Sequence, residues 1–225
     1  MSTTVRVWDL PTRLAHWSLV ACVIGLVVTS QIGGAAMAWH FRFGYGVLSL
    51  LLFRAVWGVV GGHWSRFSAF WYGPGTVLRY LRGQRDAAHS IGHSPLGAAS
   101  VFAMLFFLSL QVATGLVSDD EIDTSGPLAV WASATVVRYA TFYHRSIGKF
   151  ILILLILIHV AAIAYYHFRR QEKLVAAMVH GDKTVDQAAV GSRDDTGSRL
   201  TALAIYLMCG GVVWALLWFA RAPRT

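Results

Sequence analysis

Charge is scarce in this sequence. Asp, Glu, Lys and Arg together make up 13% of it, with 11 acidic residues against 19 Lys and Arg. A soluble domain normally carries about a quarter charged residues, so a soluble globular chain is excluded. Cysteine is almost missing as well. Cys22 and Cys209 lie far apart, each inside an apolar run. No Cys-x-x-Cys pair occurs, which argues against iron–sulfur clusters and thiolate zinc sites. The lack of Cys-x-x-Cys-His excludes covalent haem attachment, so any haem here is b-type and held by side chains alone. Internal repeats, low-complexity tracts and broken helices that would mark a transport pathway are also absent.

What the chain has is apolar length. Its mean hydropathy is +0.55 and 56% of it is hydrophobic. Apolar runs span His16–Ile32, Trp39 to about Val60, about Leu96 to Val117, Tyr143–Arg170 and Leu200–Ala220. About twenty apolar residues cross a bilayer core of about 30 Å as a helix. The sequence therefore predicts an all-α integral membrane protein. Residues 1–180 form a four-helix transmembrane bundle, and 181–225 a polar linker and a fifth C-terminal transmembrane helix. Ala36-Met37-Ala38 resembles a signal-peptidase site, but the run before it is long for a disposable segment, and His16-Trp17 at its entrance is foreign to one. Trp64–Tyr72 reads as an interfacial aromatic segment and Gly73-Pro74-Gly75 as a turn.

The net charge of +8 belongs to topology, not to nucleic acid. Basic residues crowd the 61–95 loop and the 169–199 segment, whereas links 33–38 and 118–143 hold only Arg138. Positive loops stay inside, which predicts a cytoplasmic N-terminus in the bacterial inner membrane. Arg221 and Arg224, beyond the fifth run, go against that rule.

The fourth run carries two histidines, His144 at its front edge and His159 inside it. An imidazole in hydrocarbon is a functional-site hypothesis by default. On a regular helix the two lie about 22 Å apart and within about 60° of one face. Orientation then sorts the histidines by depth. His40 and His144 fall near the outer surface, His16 and His159 toward the cytoplasm. Two bis-histidine sites result, suited to two stacked haems, and with no open coordination position they favour electron transfer. Arg54 follows His40 by fourteen residues, about 21 Å inward and within about 40° of its face. A haem propionate is the expected partner of Arg54 and of Arg13, and Arg42 serves the outer haem. For Arg13 and Arg42, interfacial snorkelling is an equal reading. His63, His89, His93, His167 and His180 are read as loop or span-end residues reaching water, with His167 the one competitor of His159.

These residues resemble a known group, the bacterial cytochrome b561 and nickel–iron hydrogenase b-type cytochrome subunit family. The likeness rests on Trp8-Asp9-Leu10-Pro11-Thr12-Arg13-Leu14-Ala15-His16-Trp17 and on His40 followed by Arg54. It extends through Gly92-His93-Ser94-Pro95-Leu96-Gly97, His144 and His159-Val160-Ala161-Ala162. It covers roughly residues 5–180. The resemblance implies a four-helix diheme protein whose axial iron ligands are His16, His40, His144 and His159, in agreement with depth. It also implies electron exchange between membrane quinone and a partner redox protein, within a respiratory chain.

Three functions remain distinct on this scaffold, beside a haem-free structural or transport protein. The first relays electrons between quinone and a periplasmic c-type cytochrome, steered by the acidic stretch Asp119, Asp120, Glu121 and Asp123. A solvated loop is the bland reading of that stretch. The second is the membrane anchor of a hydrogenase or dehydrogenase complex. The third is a self-contained quinone-linked oxidoreductase acting on superoxide or ferric iron. No residue stands out as a catalytic group or as a quinone ligand.

Overall fold

A computed structural model describes residues 3–84, 91–122, 124–185 and 189–221. Arg85, Asp86, His89, Asp123 and Arg224 lie outside the described residues. The order is β1 (Thr3–Arg6), α1 (Leu10–Ile32), α2 (Met37–Val60), α3 (Pro74–Leu81), α4 (Pro95–Val117), α5 (Ala134–Phe142), a π-helical turn (Tyr143–Gly148), α6 (Lys149–Arg170), α7 (Leu174–His180), β2 (Asp182–Val185) and α8 (Thr196–Ala220). Five helices are long and apolar enough to cross a membrane: Leu10–Ile32, Gly34–Val60, Pro95–Val117, Ala134–Arg170 and Thr196–Ala220. The protein is all-α and a multi-pass membrane protein. Many large apolar side chains on these helices point outward, among them Phe106, Leu154 and Leu207. Hydrocarbon is the solvent such surfaces require.

Three helices begin earlier than their apolar runs, and capping explains why. Asp9 Oδ1 accepts the backbone N–H of Thr12 at 2.8 Å, so α1 starts at Leu10, not His16. Ser133 Oγ accepts the N–H of Val136, starting α5 at Ala134 inside what the sequence reads as loop. Asp195 Oδ1 accepts the N–H of Ser198 at 2.7 Å and opens α8 at Thr196. Such side-chain oxygens satisfy donors that the first turn leaves orphaned. Gly73-Pro74-Gly75, read as a turn, opens α3 instead, with proline in the first helical turn where its missing N–H costs nothing.

The chain divides into two compact units. The first comprises Met1–Trp17, Phe53–Ala103 and Leu157–Ile205; the second comprises Ser18–Leu52, Met104–Ile156 and Tyr206–Thr225. In the first, β1 and β2 pair antiparallel from Thr3↔Val185 to Arg6↔Asp182. Val5, Val7, Trp8, Ile91, Ala177 and Val185 pack beneath them. The segment before α8 is laced onto the N-terminus: the Ser192 N–H donates to Arg6 O and its Oγ to Val7 O. Trp64 Nε1 donates to Val190 O. Part of the expected polar linker is therefore a folded strap. In the second unit, Val47, Leu51 and Leu108 form a core with Leu19, Cys22, Leu26, Val112 and Leu152 around it, so faces of α1, α2, α4 and α6 meet. Cys22 and Cys209 are both free thiols.

Candidate haem sites

The second unit brings His40 and His144 together. Their ring centroids are 6.3 Å apart and the planes lie at 84°. His40 Nδ1 stands 3.1 Å from Leu26 O and His144 Nδ1 2.8 Å from Gln111 O. A carbonyl oxygen only accepts, so Nδ1 carries the hydrogen in both rings and each Nε2 keeps its lone pair. Backbone carbonyls that fix the tautomer in this way orient metal-ligating histidines. Metal–imidazole bonds run about 2.0–2.1 Å, which puts the centroids of two rings sharing one metal a little over about 6 Å apart. The pair fits that spacing.

Two features that the sequence reading passed over build this site. Gly115 on α4 leaves room for the ring, because a Cβ there would stand 2.7 Å from His144 Cε1. The π-helical turn carries His144, and Gln111 Nε2 donates to His144 O at 2.9 Å. Single π turns concentrate at functional sites. The angular offset of a regular α-helix does not carry across it. Arg42 is exposed and lies with its guanidinium 4.6 Å from the Trp39 ring centroid. Arg145, next to His144 in sequence, acts on it electrostatically, a cation that spacing alone did not suggest.

The acidic stretch is also not the uniform patch that its sequence suggests. Asp120 accepts from Ile122 N, Thr124 N and Thr124 Oγ1, so it closes its own turn. Asp119, Glu121, Arg138 and Arg145 share the walls of one open cleft of about 560 Å³.

The first unit holds His16, His159, Arg13 and Arg54. His16 and His159 are close enough to interact electrostatically. Arg54 stacks on Phe67 at 4.4 Å, with Asp9 as its charge partner. Asp9 is fully buried, but its oxygens accept from Thr12 N, Trp57 Nε1, Gly62 N and Ser65 Oγ, and none goes to Arg54. Arg13 donates through Nη1 to Val179 O at the end of α7. His167 and His180 are exposed, in keeping with their bland reading. His93 is not. Its Nδ1 is sealed from solvent between Trp8 and Phe70. Burial first, then the charges of Arg54 and His159, push its imidazole down to about 3, so it stands neutral.

Buried polar atoms in this unit lack partners: His16 Nδ1, Arg13 Nε, Arg54 Nη1 and His93 Nδ1. Native proteins leave few such groups. Three or more His, Cys, Asp or Glu able to cage a bare ion occur nowhere among the described residues. Paired imidazoles with arginine nitrogens sealed from solvent beside them fit a metal that brings its own macrocycle and carboxylates. Haem is such a group.

A family model described as prokaryotic cytochrome b561 matches residues 7–181. The chain belongs to the prokaryotic cytochrome b561 family. It is thus a b-type membrane cytochrome, an electron-transfer protein holding b-type haem. Similar proteins include one from Bradyrhizobium diazoefficiens named "Probable Ni/Fe-hydrogenase B-type cytochrome subunit", 23% identical over 80% of this chain and 86% of its own length. A protein of the same name from Azotobacter vinelandii is 25% identical over 80% of this chain and 88% of its own. The "Probable Ni/Fe-hydrogenase 1 B-type cytochrome subunit" of Escherichia coli K12 is 27% identical over 48% of this cytochrome and 57% of its own length. No solved structure matches. The family match ends before β2 and α8.

Proposed function

We propose that this cytochrome holds two b haems, one between His40 and His144 and one between His16 and His159, and passes electrons between membrane quinone and a catalytic subunit of hydrogenase type. The neighbouring His40 and His144 rings, 6.3 Å apart and each with Nδ1 fixed on a backbone carbonyl, carry the reading. Bound between two imidazoles, haem would supply one-electron transfer with no open position for substrate. The chain's part is to fix both rings, exclude water and supply cations for propionates, with Arg54 and Arg13 in the first unit. Arg42 in the second keeps the expected role at the other haem. The names of the relatives favour a hydrogenase-type partner over a soluble c-type cytochrome, and two arginines within the acidic cleft weaken steering of a basic partner. The inner membrane, with the N-terminus cytoplasmic, is the location that loop charge supports.

A pyridine haemochrome count on the purified protein tests this reading. About two haems per chain are expected, with His40→Ala and His159→Ala each losing a different one in reduced-minus-oxidised spectra. A colourless protein, or variants that keep the full complement, would overturn it. Co-purification of a large metal-bearing subunit is expected from the native membrane. A c-type cytochrome in its place would restore the alternative partner.

A further inference from the structure

One imidazole near the His16–His159 site has no task in the relay. His93 stands just before α4, with its ring 4.6 Å from Trp8 and 4.3 Å from Phe70. Its carbonyl accepts from Tyr72 Oη at 3.0 Å. Backbone and ring are therefore both held, yet Nδ1 is sealed off with no hydrogen-bond partner. Phe70 also neighbours Arg54, whose guanidinium carbon is 6.0 Å from its centroid, and Arg54 Nη1 is sealed and unpartnered too.

Both groups share one aromatic neighbour; Arg54 Nη1 needs a buried acceptor, and His93 in its Nδ1–H tautomer needs the same. Among the described residues none offers one. Asp9, the charge nearest to hand, already accepts four donor groups. Arginine has no acceptor capacity, so what satisfies it must accept only. A carboxylate does so, and a planar guanidinium is suited to binding one in low dielectric. Haem brings carboxylates of its own. Axial ligation is not open to His93 where His16 and His159 already hold the iron.

Resting on the reading of a haem between His16 and His159, we propose that His93 and Arg54 together bind a propionate of that haem, through Nδ1–H and Nη1–H. The segment Gly92–Gly97 then has a chemical role beside opening α4: it presents a fixed donor to the cofactor. His93 is a binding residue, distinct from the axial ligands.

The test compares His93→Phe, which keeps a flat ring between Trp8 and Phe70, with His93→Asn, whose amide nitrogen can take the place of Nδ1. Haem content is counted as isolated, and haem loss to excess apomyoglobin is followed in detergent. Resonance Raman reads the propionate bending band. His93→Phe should start with two haems and lose one of them about ten-fold faster than wild type, the scale of one charge-assisted hydrogen bond. Its propionate band should shift, while His93→Asn stays near wild type in both readouts. Loss at the wild-type rate with an unshifted band overturns the proposal. So does isolation of His93→Phe with a single haem in the pattern of His159→Ala, because that makes His93 an iron ligand. If phenylalanine does not fit, His93→Ala replaces it against the same asparagine control. A His159→Ala protein with its full haem content would instead sink the parent reading, and the two failures are therefore distinct.

Discussion

Gly115 is a residue whose importance lies in what it lacks. An added methyl would stand 2.7 Å from His144 Cε1 and 3.1 Å from Nδ1, closer than Cβ atoms come to a ring. The ring sits on the π turn and is tied to Gln111 O, so it cannot retreat without giving up that bond. Gly115→Ala should therefore displace His144 and cost one of the two proposed haems, leaving the spectrum of the other intact. Alanine is the better helix former by about 1 kcal/mol, so the variant should not melt earlier for reasons of the helix. Full haem content with an unchanged spectrum would separate His144 from iron. Asp9 makes the complementary case. It is buried at the start of α1 and accepts four donor groups. Asp9→Asn faces those donors with an amide N–H₂ of its own. A loss of about 2–4 kcal/mol is expected for a buried, hydrogen-bonded charge, read as a lower thermal midpoint, with haem in the His40–His144 site retained in the folded fraction.

At the scale of the element, α8 depends on a carboxylate outside the membrane. The Asp194 side chain is only 6% exposed and pairs with Arg6 at 2.5 Å and Arg199 at 2.9 Å. It also accepts the Leu10 N–H at 3.2 Å, so one residue joins β1, the first turn of α1 and the first turn of α8. Burial is the largest influence and pulls its carboxyl up. The bonds from Arg199, Leu10 and Arg6 outweigh it and leave Asp194 below the ordinary 3.8. A folded value below the unfolded one gives stability that is present above about pH 4 and lost as pH falls through the folded value. Asp194→Asn should lower stability at pH 7 by about 1–3 kcal/mol, and the gap to wild type should close on acidification below about pH 4. A gap that is flat with pH would show that the residue acts through packing alone.

These elements also show what the sequence could and could not disclose. Long apolar runs made the five helices legible, because in hydrocarbon the helix is the structure a single segment can adopt. Their starts were misplaced wherever a cap stood outside the run, at Asp9, Ser133 and Asp195. The caps themselves are ordinary Asp and Ser residues that a search for apolar length ignores. The histidines and Arg54 stood out because polar groups are costly in lipid. His93 did not, since it lies in a polar loop by sequence and its Nδ1 is sealed off only by the packing of Trp8 and Phe70. Gln111, Gly115 and the π turn carry no local signal. Their meaning comes from a ring on another helix.

At the scale of the whole molecule, the question is whether the two proposed haems act in series or in parallel. Each candidate pair falls within one compact unit, and one continuous helical run, Ala134–Arg170, contributes a histidine to both. In the proposed relay a quinone exchanges electrons at one membrane face and the partner at the other, so every electron must visit both sites. His40→Ala and His159→Ala proteins can be reconstituted into vesicles with an impermeant acceptor inside and a quinol outside. Each should keep one haem that the quinol or the acceptor can still reduce or oxidise. Transmembrane transfer should nevertheless fall to the background of empty vesicles in both, because a series path broken at either end conducts nothing. A variant that retains half the wild-type rate would mean parallel branches, with one haem enough to carry electrons from quinol to acceptor. The Ala134–Arg170 run would then scaffold two separate routes, and the proposed path between quinone and catalytic subunit would have to be redrawn around one haem.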